Sequence, residues 1–152
     1  MTIKTFALAA SLTALGTAAF ADAHDPVRIG MITTLSGGGA GLGIDVRDGF
    51  MLAMSQAGAD NVEVIIEDDQ RRPEIAVRLA DEMIQSDDVD IMTGIIWSNL
   101  AMAVIPSATA QDVFYLSPNA GPSQLAGRGC HPLYFNVAWQ NDALHEAAGA
   151  YA

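Results

Sequence analysis

The chain has 152 residues, 51% of them apolar, and a formal net charge of −11 at pH 7. So acidic a surface repels phosphate backbones and anionic lipid, which argues against nucleic acid and a charged membrane face as partners. The single cysteine, Cys130, excludes an internal disulfide.

Residues 1–21 read as an address. They carry one cation (Lys4), an apolar run from Phe6 to Phe20, and the small-x-small site Ala19-Phe20-Ala21. That is the pattern of a cleaved secretory signal peptide, with Ala21-Asp22-Ala23 as a second cleavage point. The run is rich in Ala, Ser and Thr and falls short of the roughly 20 strongly apolar residues that span a bilayer. Residues 22–152 then hold six arginines against eighteen acids, a net charge of −12, and no lysine.

Residues 27–43, VRIGMITTLSGGGAGLG, organise the rest of the chain. An apolar, β-branched run has the length of a buried strand. Five glycines (Gly37, Gly38, Gly39, Gly41 and Gly43) come next within seven positions, and then a helical pattern over 43–57. Val46, Phe50, Ala53, Met54 and Ala57 make its expected inward face. Strand, glycine loop and helix form the first half of a βαβ unit, and the loop lies where open parallel sheets bind ligands.

Residues 58–61 turn the chain into a second strand at 62–67, which ends in the charged cluster of residues 67–72. That cluster reads as a solvated turn in which Asp68 and Asp69 pair with Arg71 and Arg72. Pro73 opens a helix over 74–86, with Ile75, Leu79, Ala80 and Met83 inward. A third strand is expected at 89–96 and a helix at 98–110. Pro106 either kinks that helix or sits near a first turn. A fourth strand at 113–116, a Gly- and Pro-punctuated loop at 117–129, a fifth strand at 133–138 and a helix from 141 complete the pattern.

Strands alternating with helices of this length predict an α/β fold, a doubly wound parallel sheet in the order 2-1-3-4-5. Three loops then converge at the switch point: residues 36–43, 97–99 and 117–122. The acidic loop at Asp68-Asp69 comes after the outer strand and is expected off to the side.

The chemistry in these loops is recognition. A dinucleotide fingerprint would place its third glycine on Leu42 or Ile44, and residues 22–152 have no lysine for a phosphate loop. His24, His131 and His145 lack metal-ligand spacing with Cys130 or each other. Neither Ser98 nor Ser117 sits in a nucleophile elbow. No cofactor, metal or catalytic set is expected. Ser36, Ser98 and Asn119 offer polar groups to a small molecule, and Trp97 offers a flat apolar face at the cleft or a core side chain beneath the sheet.

The runs IGMITTLSGGGAGLGIDVRDGFMLA, IEDDQRRPEIAVRLADEMIQSDDVDIMTG and FYLSPNAGPSQLAG together resemble the first lobe of the periplasmic type I solute-binding proteins. Within these, they are similar to the branched-chain amino acid (Leu/Ile/Val-binding) group serving ABC importers. The resemblance implies a non-enzymatic periplasmic protein of two α/β lobes joined by three crossovers, with a small-molecule ligand between them and a membrane permease as partner. A periplasmic sensory domain, or an α/β enzyme, is the alternative. The family's ligand-facing positions fall on Leu42, Trp97, Ser98, Asn119, Ala120 and Gly121, with Ser98 and the loop after the fourth strand holding the ligand's carboxylate and amine. Leu42 stands where a tyrosine is common, and Asn119-Ala120-Gly121 replaces a run of Ala, Ser and Thr. The stretch SPNAGPSQLAG followed by FNVAWQND looks closer to members associated with aromatic acids. On this reading residues 22–138 form the lobe, and residues 139–152 are the crossover and the start of a second lobe missing from this chain.

Overall fold

A computed structural model describes residues 25–152; the expected signal peptide and His24 lie outside them. The chain alternates strand and helix: β1 (Val27–Thr33), α1 (Ala40–Ala57), β2 (Val62–Asp68), α2 (Pro73–Gln85), β3 (Ile91–Thr93), α3 (Ser98–Ala110), β4 (Phe114–Ser117), α4 (Ser123–Ala126), β5 (Tyr134–Asn136) and α5 (Asn141–Tyr151). All five strands are parallel, in the order β2-β1-β3-β4-β5. This is the expected α/β topology, with the switch point between β1 and β3.

Side chains alternate across the sheet, so Ile32 and Thr33 point to opposite faces. On the Ile32 face, Met92 and Tyr115 pack with Leu79, Ala80 and Met83 of α2 and with Leu100, Ala101, Val104 and Ile105 of α3. The expected inward stripe of α2 is buried apart from Ile75, which is half-buried against this core. Pro106 lies inside α3 without ending it.

The Thr33 face carries α1, where the pattern and the burial differ. Val46, Phe50 and Met54 are half-buried, Ala53 and Ala57 are exposed, and Gly43 is the one buried position. Leu42, Met51 and Leu52 are open to solvent. On the same face Phe114 and Phe135 stack at a centroid separation of 6.3 Å and are 46% and 49% exposed. Two helices therefore seal one face of the sheet, while α1 shields only part of the other.

Two boundaries differ from expectation. Pairing in β3 stops at Thr93, short of the expected 96, because Gly94 at φ 106° turns the chain out of the sheet. The loop at 117–129 contains a single helical turn, α4, that its Gly and Pro content concealed.

Candidate functional site

At the carboxyl edge of the sheet, the ends of β1, β2, β3 and β4 are tied together by side-chain hydrogen bonds. Trp97, between β3 and α3, is the centre of the first tie. Its indole N–H donates to Thr34 Oγ1 at 2.9 Å, and the Thr34 hydroxyl donates to Asp69 Oδ1 at 2.6 Å. The same carboxylate oxygen accepts the Arg71 backbone N–H at 2.7 Å. Gly39 caps α1 at φ 95°, and a Cβ there would stand 2.4 Å from the Trp97 ring. Only glycine meets both conditions, so the glycine loop closes directly onto the indole edge. Over the ring face sits the Arg71 guanidinium, its carbon 4.1 Å from the centroid. Trp97 is partly buried and packs against the core below, which is one of its two expected placements.

The acidic loop is not off to the side. Its strand, β2, is the immediate neighbour of β1, so its loop lies against the glycine loop. Asp69 N–H donates to Thr33 O at 3.1 Å, and Asp68 Oδ1 accepts the N–H groups of Leu35 (2.8 Å) and Gln70 (2.9 Å). The expected pairing with Arg71 and Arg72 is absent: Arg72 bridges to Glu74 at 2.6 Å, and Arg71 covers Trp97. Gln70 and Arg71 both take left-handed backbone, φ 53° and 59°. Such conformations cost on the order of 1 kcal/mol or more each for residues with a Cβ, and the two aspartates hold them in place.

The two carboxylates titrate in opposite directions. Burial is the main influence on Asp69, which is 0% exposed, and it pushes the pKa up. Hydrogen bonds from the Thr34 hydroxyl and the Arg71 N–H counter it, and the charge of Asp68 adds to the rise. Partial burial also pushes Asp68 up. There the hydrogen bonds of the Ser36 side chain and of the Leu35, Gln70 and Ser36 N–H groups together outweigh it, leaving the pKa lowered. Asp69 Oδ2 and Thr33 Oγ1 are buried without a partner among the described residues.

The second tie joins the loops after β3 and β4. Asn119 Nδ2 donates to Ile96 O at 2.9 Å, fixing the two loops edge to edge. Ser98 opens α3, and its Oγ accepts from Asn141 Nδ2 at 3.0 Å, while Asn141 N–H donates to Gly121 O at 2.8 Å. Gly121 is buried, and a Cβ there would overlap the carbonyl of Trp139. Ala120, 2% exposed, accepts the Ser117 hydroxyl on its carbonyl. Of the six candidate positions, Ser98 and Asn119 thus lie on one hydrogen-bonded edge with buried Ala120 and Gly121, while Trp97 is held by the first tie. Leu42, 52% exposed, lies one helical turn into α1 beyond Gly39. Sequence reasoning missed Thr34, Asp69, Arg71 and Asn141. Their signal is positional: each flanks a strand end or a helix start rather than forming a motif.

Among the described residues there is no cluster of three His, Cys, Asp or Glu side chains suited to a metal ion, and no helix long and apolar enough to cross a membrane. The site is built from hydrogen-bonding groups, one aromatic ring and one guanidinium.

No curated protein matches the chain. An ABC transporter substrate-binding protein from Sphaerobacter thermophilus is 33% identical, with a TM-score of 0.72 over 82% of this chain and 37% of its own. A solute-binding protein of an ABC transporter from R. palustris, solved in complex with benzoate, is 26% identical, with a TM-score of 0.73 over 81% of this chain and 38% of its own. A third, from Rhodopseudomonas palustris BisB5 and solved with 3,4-dihydroxy benzoic acid, is 28% identical, with a TM-score of 0.70 over 76% of this chain and 32% of its own. The chain therefore spans between 32% and 38% of the length of these structures. A periplasmic binding protein profile matches residues 26–152, and on that extent of agreement the chain belongs to the periplasmic binding protein family.

Proposed function

We propose that residues 22–138 form the N-terminal lobe of an extracytoplasmic, non-enzymatic solute-binding component of an ABC importer, with residues 139–152 leading toward a second lobe. Residues 1–21 act as a signal peptide, cleaved before Asp22, that delivers the protein to the periplasm. A membrane permease is the partner. The ligand is a small carboxylate held between lobes, within the branched-chain amino acid-binding group of the family. Leu42, Trp97, Ser98, Asn119, Ala120 and Gly121 border this lobe's side of the cleft.

The observation that carries this reading is the tied edge at the switch point. Asn119 to Ile96, and Asn141 to Ser98 and Gly121, hold together the loops after β3 and β4 and the start of α5. Trp97 to Thr34 joins the end of β1 to them, making one wall at the carboxyl ends of β1, β3 and β4. Ligands of open parallel sheets bind there. The complexes of two neighbours with benzoate and 3,4-dihydroxy benzoic acid favour an aromatic carboxylate over an α-amino acid, and the exposed apolar Leu42 agrees with that choice.

Titration of the ¹⁵N-labelled chain with benzoate, followed by amide and indole resonances, tests the proposal. One wall alone binds weakly, so millimolar concentrations are appropriate. Shifts are expected in residues 36–43, the Trp97 indole N–H, Ser98 and residues 119–121. Unmoved resonances there, or shifts confined to another surface, would overturn the reading.

A further inference from the structure

We infer that Arg71 is the cation that recognises the ligand's carboxylate. The inference rests on the proposed cleft and names the group within it that supplies ligand charge selectivity.

Four arginines of the described residues are committed to ion pairs: Arg28 with Glu63, Arg47 with Asp48, Arg72 with Glu74 and Arg78 with Glu82. Arg71 is in none of these, although two carboxylates lie within three residues before it. Those carboxylates accept backbone N–H groups instead, Asp69 that of Arg71 itself and Asp68 that of Gln70. Consecutive left-handed residues, Gln70 and Arg71, then turn the side chain back over the sheet edge. A strained, doubly capped loop fixes the guanidinium above Trp97, and a Cβ at Gly38 would lie 3.6 Å from its Nη1. The cation therefore stands between the glycine loop and the indole, at the rim of the proposed wall.

That placement suits an anion. A guanidinium lying over an aromatic face interacts through its plane and keeps its in-plane N–H groups for a bidentate carboxylate. Arg71 makes no side-chain hydrogen bond among the described residues, so these donors are unspent. Contact with the ring restricts a flexible side chain before the ligand arrives, which reduces the entropic cost of binding. On a chain of net charge −11, a fixed cation at the rim also offsets a field that repels anions.

The test compares benzoate with benzamide, its neutral near-isostere, on the chain and on its Arg71→Gln and Arg71→Lys variants, again by indole and amide shifts. Arg71 is exposed, and unchanged resonances away from the loop will show that each variant folds. Benzoate affinity should fall at least about tenfold in Arg71→Gln, as expected for one lost charged hydrogen bond. Arg71→Lys should recover part of it, and benzamide should bind all three forms alike. If benzoate moves the cleft resonances equally in all three forms, the assignment to Arg71 is overturned while the cleft stands. If neither probe moves them in the parent chain, the cleft itself is wrong and the inference falls with it.

Discussion

Asp69 shows how a charged residue in an acidic run becomes a buried structural group. In sequence it is one of several acids in a turn, and nothing in residue type separates it from Asp68. The structure gives Asp68 a half-exposed place with N–H donors and gives Asp69 full burial at the end of the Trp97–Thr34 relay. The pKa of Asp69 is raised, so the folded state holds its proton more tightly than the unfolded chain. Stability from this group rises as pH falls through the folded pKa and levels off below the ordinary value of 3.8. Asp68 acts in the opposite sense, its contribution being lost on acidification. Comparison with Asp69→Asn isolates the first effect. Urea unfolding of both proteins from pH 7 down toward pH 4 should show their difference moving in favour of the parent chain. A difference independent of pH would mean that Asp69 titrates normally.

At the scale of elements, most of the fold was legible because periodicity and punctuation agree. Apolar runs bounded by Gly, Asp and Pro became strands, the stripe of α2 became core, and right-handed crossovers gave the strand order. The acidic loop was misplaced because its charges read as a solvated turn, whereas neighbour strands in a parallel sheet bring their carboxyl-end loops side by side. The α1 stripe was over-read, since a periodic apolar face reports what a helix can bury and not what stands opposite it. The glycine loop contains both kinds of glycine. Gly39→Ala would place a Cβ against Trp97 in a left-handed backbone, costing roughly 1–2 kcal/mol or more. Gly41→Ala, in the first turn of α1 with open space around it, should gain up to about 1 kcal/mol from helix propensity. Chemical denaturation should therefore give the two variants opposite signs. Equal effects would mean that the loop does not rest on the indole as described.

For the molecule as a whole, the anchoring of α5 stems from how unevenly the lobe is packed. The Ile32 face is sealed by α2 and α3, but α5 has no buried residue, and Leu144 and Tyr151 are open to solvent. An eleven-residue helix without tertiary burial is marginal in water. Its anchor is at its start: Gln140 caps the first turn through the Ala143 N–H, and Asn141 ties to Ser98 and Gly121. Those ties reach the same loops that form the proposed cleft, so the end of the chain reports on the cleft without lying in it. Hydrogen exchange should find α3 protected to near the global stability and residues 145–151 exchanging almost as fast as an unfolded chain. Asn141→Ala should extend that loss back through residue 141 and raise exchange in the loop at 119–121, while leaving α2 and α3 unchanged. Protection across the whole of α5 would show that packing, rather than the Asn141 tie, holds the helix in place. If α5 loosens without any change at 119–121, the two segments are not coupled.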